Sequence, residues 1–336
     1  MYISLDECYA LSVDALSRAC ASDEPANSVA RSIRAAEAEG TRGIGLGYLP
    51  WYCQHLRVGK IIGTAVPQIS QPKPAAIMVN ARGGFAHPAF EAGEAALIAA
   101  ARQNGIAILG VTNAYACGVL GYFADRLARA GLVSISVTNA SSTMAPWGGK
   151  TPFFGTNPWA FGAPRLGDDP LVIDSSSSAT AYVNLANAAV TGEPIPATWA
   201  LDVNGHTTTD AELALQESIA PAGGHKGSAL ALMVEVLAAG LTGANWSYQA
   251  SSLGDDLGGP PMLGQSFIVI DPGGLAGGFT DRLEDMLTAM LAQDGVRLPG
   301  ARRHENRRIA EISGVGLTQT EVHKLSDLAG RPVRFR

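Results

Sequence analysis

The order of apolar and polar positions divides the chain into alternating helical and extended pieces. Residues 106–111 (IAILGV) and 132–137 (LVSISV) are apolar runs, each followed by Thr-Asn. They predict two buried strands that deliver polar groups to one sheet edge. Between them, Leu120, Phe123, Ala124, Leu127 and Ala128 recur at helical spacing, with Gly118 before and Gly131 after, as a strand-helix-strand crossover requires. In such sheets ligands collect outside the carboxyl ends of the strands, here around Asn113 and Asn139.

The same pattern extends in both directions. Ser4 with Glu7 spells a capping box, and Leu5, Cys8, Tyr9, Ser12, Val13 and Leu16 form one helical face. A second helix over 25–38, with Val29, Ile33 and Ala36 on one side, ends at Gly40, so the N-terminus reads as a helical layer. Residues 75–79 read as a strand, 89–103 as an alanine-rich helix closed by Gly105, and 171–173 as a short buried strand. Residues 228–239 are the most apolar helix; 266–270 return as a strand, and 280–292 form a helix whose methionines fill core space. Residues 244–264 predict a long glycine- and serine-rich loop, a lid or a subunit contact. Residues 297–308 read as a basic extended segment, and Thr318 with Glu321 opens a last short helix. This alternation is that of an α/β protein.

Composition narrows the class. A chain of 336 residues with 47% apolar residues, 39 glycines and 16% charged residues is folded around a large interior. A net charge of −6, with basic residues gathered only at Arg302, Arg303, Arg307 and Arg308, argues against nucleic acid as a partner. The four cysteines have no metal-type spacing, and acidic residues stand where a signal peptide needs basic ones, so a reduced, cytoplasmic chain is expected. Residues 228–239, interrupted by Glu235, are too short to cross a bilayer. Neither a G-x-G-x-x-G after a strand nor a P-loop is present, and no metal site is expected.

Three stretches carry candidate chemistry. Asp174 and the four serines after it stand at a strand end, where they can cap a helix or hold a phosphate or carboxamide. Gly-Gly-His-Lys-Gly at 223–227 leads straight into the most apolar helix. A lysine there opposes the helix dipole, so Lys226 points to a bound anion or snorkels at the helix end. The alternate glycines 43, 45 and 47 either admit a ligand or form a loop. His206 lies in a tight turn and is expected to face solvent.

Together, GFAHPA (84–89), GYFADRLARAGLVSISVTNAS (121–141), APWGGKTPFFGTNPWAFGAP (145–164), GGHKGSALALMVEVLAAGLTGA (223–244) and LPGARRHENRR (298–308) resemble one family. It is that of the malate/L-lactate dehydrogenases of the second type, which include ureidoglycolate, sulfolactate and diketogulonate enzymes and the piperideine/pyrroline-2-carboxylate reductases. The resemblance covers nearly the whole chain. It implies a non-Rossmann fold with a mixed sheet binding NADPH or NADH, the former slightly favoured, and an intertwined homodimer acting on a small molecule. It implies an N-terminal helical part, 1–70, packing with 298–336, and a cofactor-binding and dimerisation part, 71–297. It places Asn139, Ser141, Thr156, Asp174, Ser175, Ser176, Lys226, Glu305, Asn306 and Arg307 around the cofactor. The substrate pocket is expected at Ile44, Tyr48, Ala116, Cys117 and Tyr182.

This chain departs from the family where chemistry is expected. Relatives carry Ser-His-Gly shortly before Arg-Leu-Pro; here Gly43 and Ile44 stand at the Ser and His, and Tyr48 at the Arg. A second histidine of the family pattern is Ala116, and an Arg-Gly-Lys becomes Tyr182-Val183-Asn184. Reducing a 2-oxo acid needs a donor for the developing alkoxide and a cation for the carboxylate. An iminium needs neither at the reacting carbon, because its nitrogen is already protonated. The expected activity is therefore NAD(P)H-dependent imine reduction, with Tyr48 and Tyr182 as the remaining hydroxyl groups near the reaction. Two alternatives stay open: a 2-hydroxy acid dehydrogenase whose proton is relayed through His55 or His225, and a nucleotide binder without catalysis.

Overall fold

The computed structural model describes residues 1–167 and 169–336. The first half runs β1 (Tyr2–Ile3), α1 (Leu5–Arg18), α2 (Asp23–Ala38), α3 (Leu49–Arg57), β2 (Gln68–Lys73), β3 (Ala76–Asn80), α4 (Ala86–Asn104), β4 (Ile106–Ala114), α5 (Gly121–Arg129) and β5 (Val133–Thr138). After it come β6 (Trp159–Ala163), β7 (Leu171–Ser175), α6 (Tyr182–Thr191), β8 (Ala200–Leu201), β9 (Thr207–Thr208), α7 (Ala211–Gln216), β10 (Ser218–Ile219) and α8 (His225–Glu235). The chain closes with β11 (Leu263–Ile270), α9 (Phe279–Leu291), α10 (Ala301–Ser313), β12 (Val315–Gly316) and α11 (Gln319–Ala329).

Helix starts follow the capping chemistry. Ser4 accepts from the Glu7 amide at 3.0 Å, but the Glu7 carboxylate does not complete a box. It is buried and bonds Arg331 Nη1 at 2.6 Å, fastening the C-terminus to α1. At Thr318 both halves of the box form with Glu321. β1 pairs antiparallel with β12, and one apolar cluster joins α1, α2 and α3 to the segment 310–333. Residues 301–313, read as extended, are helical. Asn306 Nδ2 donates to Glu39 O at 3.0 Å, and Arg307 pairs with the Glu39 carboxylate, so tertiary contacts with α2 stabilise a helix with little apolar patterning.

Seven strands form the central sheet in the order β2-β3-β4-β11-β5-β6-β7. β4 and β5 are the two runs joined through α5, yet β11 lies between them, antiparallel to both. Local patterning carries no information about which distant strand fills that slot. α4 and α5 cover one face, where Phe90 stands edge-on to Phe123 and Phe267 at centroid distances of 4.8 and 4.7 Å. Burying such a ring contributes about 1.5–3 kcal/mol. On the opposite face α8 and a π-helical turn, Val236–Gly240, cover Val137, whereas Ile135 stays 37% exposed. A third, smaller cluster, absent from the sequence reading, gathers α6, α7 and the three-stranded sheet β10-β8-β9 around Leu185, Ile195 and Ile219. No helix among the described residues is long and apolar enough to cross a membrane.

Candidate active site

The substrate side begins at the glycine run. Residues 42–44 make a single 3-10 turn, closed by the buried Glu37 carboxylate, which accepts from Leu46 N at 2.8 Å and Arg42 Nε at 3.3 Å. A Cβ on Gly45 would stand 2.4 Å from Glu37 Oε1, so packing against this carboxylate requires the glycine. The turn places Tyr48 immediately before α3. Ile44 Cγ2 lies 3.8 Å from where a Cβ of Gly118 would be, and Gly43 meets Val183 of α6. Tyr48 and Ala116 rest, partly buried, on the N-terminal core beside Leu253. Tyr182 is 41% exposed, its Oη 3.5 Å from the Cβ position of Gly254. Tyr182 thus reaches Gly254 of the loop 251–257, Tyr48 and Ala116 pack on the core that Leu253 also covers, and Ile44 lies beside Gly118.

Cys117 departs from that expectation. It is 2% exposed inside the sheet-helix core, turned away from its neighbour Ala116, and burial pushes its thiol up to about 12. Ala116 packs on the N-terminal core and Cys117 on the sheet-helix core, so the two face different clusters. His87, beside Gly118, is fully buried among aromatic rings, and burial lowers it to about 4, leaving it neutral.

The loop expected to be a lid or a subunit contact is tethered within the chain. The buried Lys60 ammonium donates to Asp255 O at 2.8 Å and Leu257 O at 2.5 Å, Gln54 Nε2 donates to Asp256 Oδ2 at 2.9 Å, and Leu253 N donates to Ser141 Oγ at 3.2 Å. Distant polar partners, invisible to composition, hold a segment rich in glycine and serine. Behind the loop runs a line of three polar side chains: Tyr48 Oη lies 3.3 Å from Tyr115 Oη, which lies 2.6 Å from His55 Nδ1. Burial raises both phenols, Tyr115 strongly, and burial followed by the Lys60 charge lowers His55. The phenols therefore stay protonated and the imidazole neutral near pH 7. His225, the other relay candidate, is exposed at the start of α8 and stands edge-on to Trp147 at 6.4 Å.

The cofactor-side candidates fall into two groups. Lys226 and Ser175 are exposed, Ser176 and Thr156 partly so. Lys226 makes no hydrogen bond or ion pair among the described residues, and α8 has no side-chain cap. A Cβ on Gly227 would lie 2.4 Å from Ala222 O, which explains the third glycine of the motif by close packing of the helix start. Unpaired amide donors beside a free ammonium suit an anionic group. The second group makes hydrogen bonds or ion pairs within the chain. Asn139 is 1% exposed, its amide donating to Asn245 O at 2.9 Å and accepting from Gly264 N at 2.9 Å. Asp174 Oδ2 accepts from Gly121 N and Arg303 Nη1, both at 3.0 Å, capping α5 instead of the helix after it. Ser141 holds Leu253, Asn306 and Arg307 dock α10, and the exposed Glu305 pairs with Arg308 at 3.0 Å. Sequence reasoning missed Tyr115, Leu253, Lys60 and Arg303; each acts through a partner more than 50 positions away, and no local spacing signals it.

Comparison with known proteins identifies the family. The family model described as malate/L-lactate dehydrogenase matches residues 3–326. The (2R)-3-sulfolactate dehydrogenase (NADP(+)) of Chromohalobacter salexigens is 44% identical over 306 residues, 91% of this chain and 92% of that protein. The Delta(1)-pyrroline-2-carboxylate/Delta(1)-piperideine-2-carboxylate reductase of Pseudomonas putida is 38% identical over 311 residues, 92% and 91% of the two chains. The crystal structure of delta1-piperideine-2-carboxylate reductase from Pseudomonas syringae superposes with a TM-score of 0.94 at 35% identity, covering 98% of this chain and 99% of that one. The chain belongs to the malate/L-lactate dehydrogenase family.

Proposed function

We propose that this protein is an NAD(P)H-dependent reductase of a cyclic imine or iminium. What carries the reading is that the positions of the expected histidines and basic residues hold Ile44, Tyr48, Ala116 and Tyr182, two hydroxyls and no cation, with Tyr48 and Ala116 on the core that Leu253 covers and Tyr182 against Gly254. The reductases among its relatives support the C=N class, and the NADP(+) of the related sulfolactate dehydrogenase supports NADPH over NADH. Lys226 with the open start of α8, Ser175, Ser176 and Thr156 are the residues proposed to hold the cofactor, Lys226 against a phosphate. The reduced nicotinamide supplies a hydride. The chain itself orients the substrate with Tyr48 and Tyr182, excludes water with Ile44, Ala116 and Leu253, and offers no positive clamp beside the reacting carbon. Hence the substrate is neutral or cationic there, without the usual α-carboxylate contact.

A homodimer is part of the proposal. Its support is the row Phe161, Ile135, Ile268 and Ile108, in register across four strands on the sparsely covered sheet face, and the exposed Met286, Met290 and Leu291 of α9. The four unpaired cysteines support the expected reducing, cytoplasmic setting.

The test is a turnover panel of cyclic imines, with and without a 2-carboxylate, and of 2-oxo acids, each with both reduced nicotinamides. Imine reduction with little pyruvate reduction is expected. Reduction of 2-oxo acids alone would establish the second reading, a 2-hydroxy acid dehydrogenase, which the 44% identity to a sulfolactate dehydrogenase favours.

A further inference from the structure

The line Tyr48, Tyr115, His55 is more specific than a generic wall of hydroxyls. Each phenol carries one proton, so a chain of such groups runs in one direction only, and the imidazole tautomer at its end decides which. On the far side of His55, Nε2 lies 3.8 Å from Asp256 Oδ1. Asp256 is steadied by Gln54 Nε2 at 2.9 Å, and the neighbouring Lys60 is occupied by Asp255 and the backbone of the loop. These three, Lys60, Asp255 and Asp256, are the charged groups that bear on the imidazole. A carboxylate on the Nε2 side favours the proton there, and the bare Nδ1 then accepts from Tyr115.

We infer that His55, its proton on Nε2 facing the Asp256 carboxylate at 3.8 Å without a hydrogen bond, aligns Tyr115 and Tyr48 so that Tyr48 presents a hydrogen-bond acceptor to the pocket, selecting a protonated imine nitrogen over a carbonyl oxygen. Tyr115 O–H donates to Nδ1 and Tyr48 O–H donates to Tyr115 at 3.3 Å, leaving a lone pair of Tyr48 Oη for the substrate. An iminium N–H satisfies it; a carbonyl oxygen meets lone pair against lone pair. Hydride arrives at carbon, the C=N pair moves to nitrogen, and the amine forms without a proton from the protein. The substrate class rests on the imine reading above; the tautomer and the direction of the chain do not. His55 and Tyr115 are positioning residues, and Tyr48 is the one that touches substrate.

The tautomer can be read without substrate. In protein carrying nitrogen-15 histidine, with the His55 signals identified by their loss in His55→Gln, a protonated Nε2 and a bare Nδ1 are expected; a protonated Nδ1 overturns the inference. A second measurement uses Tyr115→Phe, which keeps the ring and frees Tyr48 to donate. The ratio of kcat/KM for an imine to that for the matching 2-oxo compound is expected to fall about 10-fold or more, with the affinity for NADPH unchanged. An unchanged ratio contradicts the inference. If the wild type reduces no imine, the functional reading fails while the nitrogen-15 result still decides the tautomer.

Discussion

On one side of the candidate site Lys226 and Ser175 are exposed and Ser176 partly so, at a helix start and a strand end, with Lys226 unpaired among the described residues. On the other, Ile44 and Ala116 stand where the resemblance leads one to expect histidines, and Tyr48 where it leads one to expect arginine. The two sides are built on the same backbone: the loop 251–257 is bonded to Ser141 on one and Lys60 on the other. A scaffold can therefore retain the chemistry that binds an anion while the chemistry beside the reacting carbon changes. The proposed difference is electrostatic in kind: histidine and arginine are replaced at Ile44, Ala116 and Tyr48, and such groups matter most where charge develops in the transition state.

The sharpest way to break this comparison is to put the missing groups back. Ile44→His together with Ala116→His is expected to raise kcat/KM for a 2-oxo acid by about 100-fold or more, the size of general acid catalysis. No gain in steady-state rate would show that these positions do not distinguish the two chemistries.

His87 sharpens it differently, since it is a histidine left in the neighbourhood. Folded, it takes up a proton only near 4; an unfolded histidine does so near 6.5. The unfolded state binds more protons in that window, so stability is intact above about pH 6.5 and falls by about 3 kcal/mol as the pH drops towards 4. Urea unfolding of wild type and His87→Gln at pH 7 and 4.5 should show this loss in the wild type and less of it in the variant.

On the cofactor side, Lys226→Ala is expected to weaken NADPH binding about 10- to 100-fold, the range of a charged hydrogen bond. Titration by fluorescence reads this directly, and turnover of the imine at saturating cofactor should change little. The smallest effect is expected at Glu305→Ala. Its ion pair with Arg308 is exposed, so stability should move by less than about 0.5 kcal/mol and cofactor affinity should not move measurably.

How much of this was legible in the chain depended on range. The strands at 106–114 and 133–138, the helix between them and the box at Thr318 with Glu321 follow from spacing and capping within a few residues. The insertion of β11 between β4 and β5 did not, because no local pattern encodes a strand's distant neighbours. For the candidate site, the resemblance itself marked Ile44 and Ala116 as positions where histidine is expected, and Lys226 stood out because it opposes the helix dipole. Asn139 and Asp174 looked equally functional from their strand ends, yet their side chains serve the backbone of other segments. The converse holds for Tyr115: nothing in residues 113–118 marks it, and its meaning comes from His55, 60 positions earlier.

The most direct measurement of the central claim is a crystal structure with NADP(H) and the amine product bound. The account predicts Tyr48 Oη within hydrogen-bond reach of the product nitrogen, with Ile44, Ala116 and Tyr182 around the exposed face of nicotinamide C4. A lysine, arginine or histidine side chain within hydrogen-bond reach of that nitrogen or of the reacting carbon's substituents would contradict it.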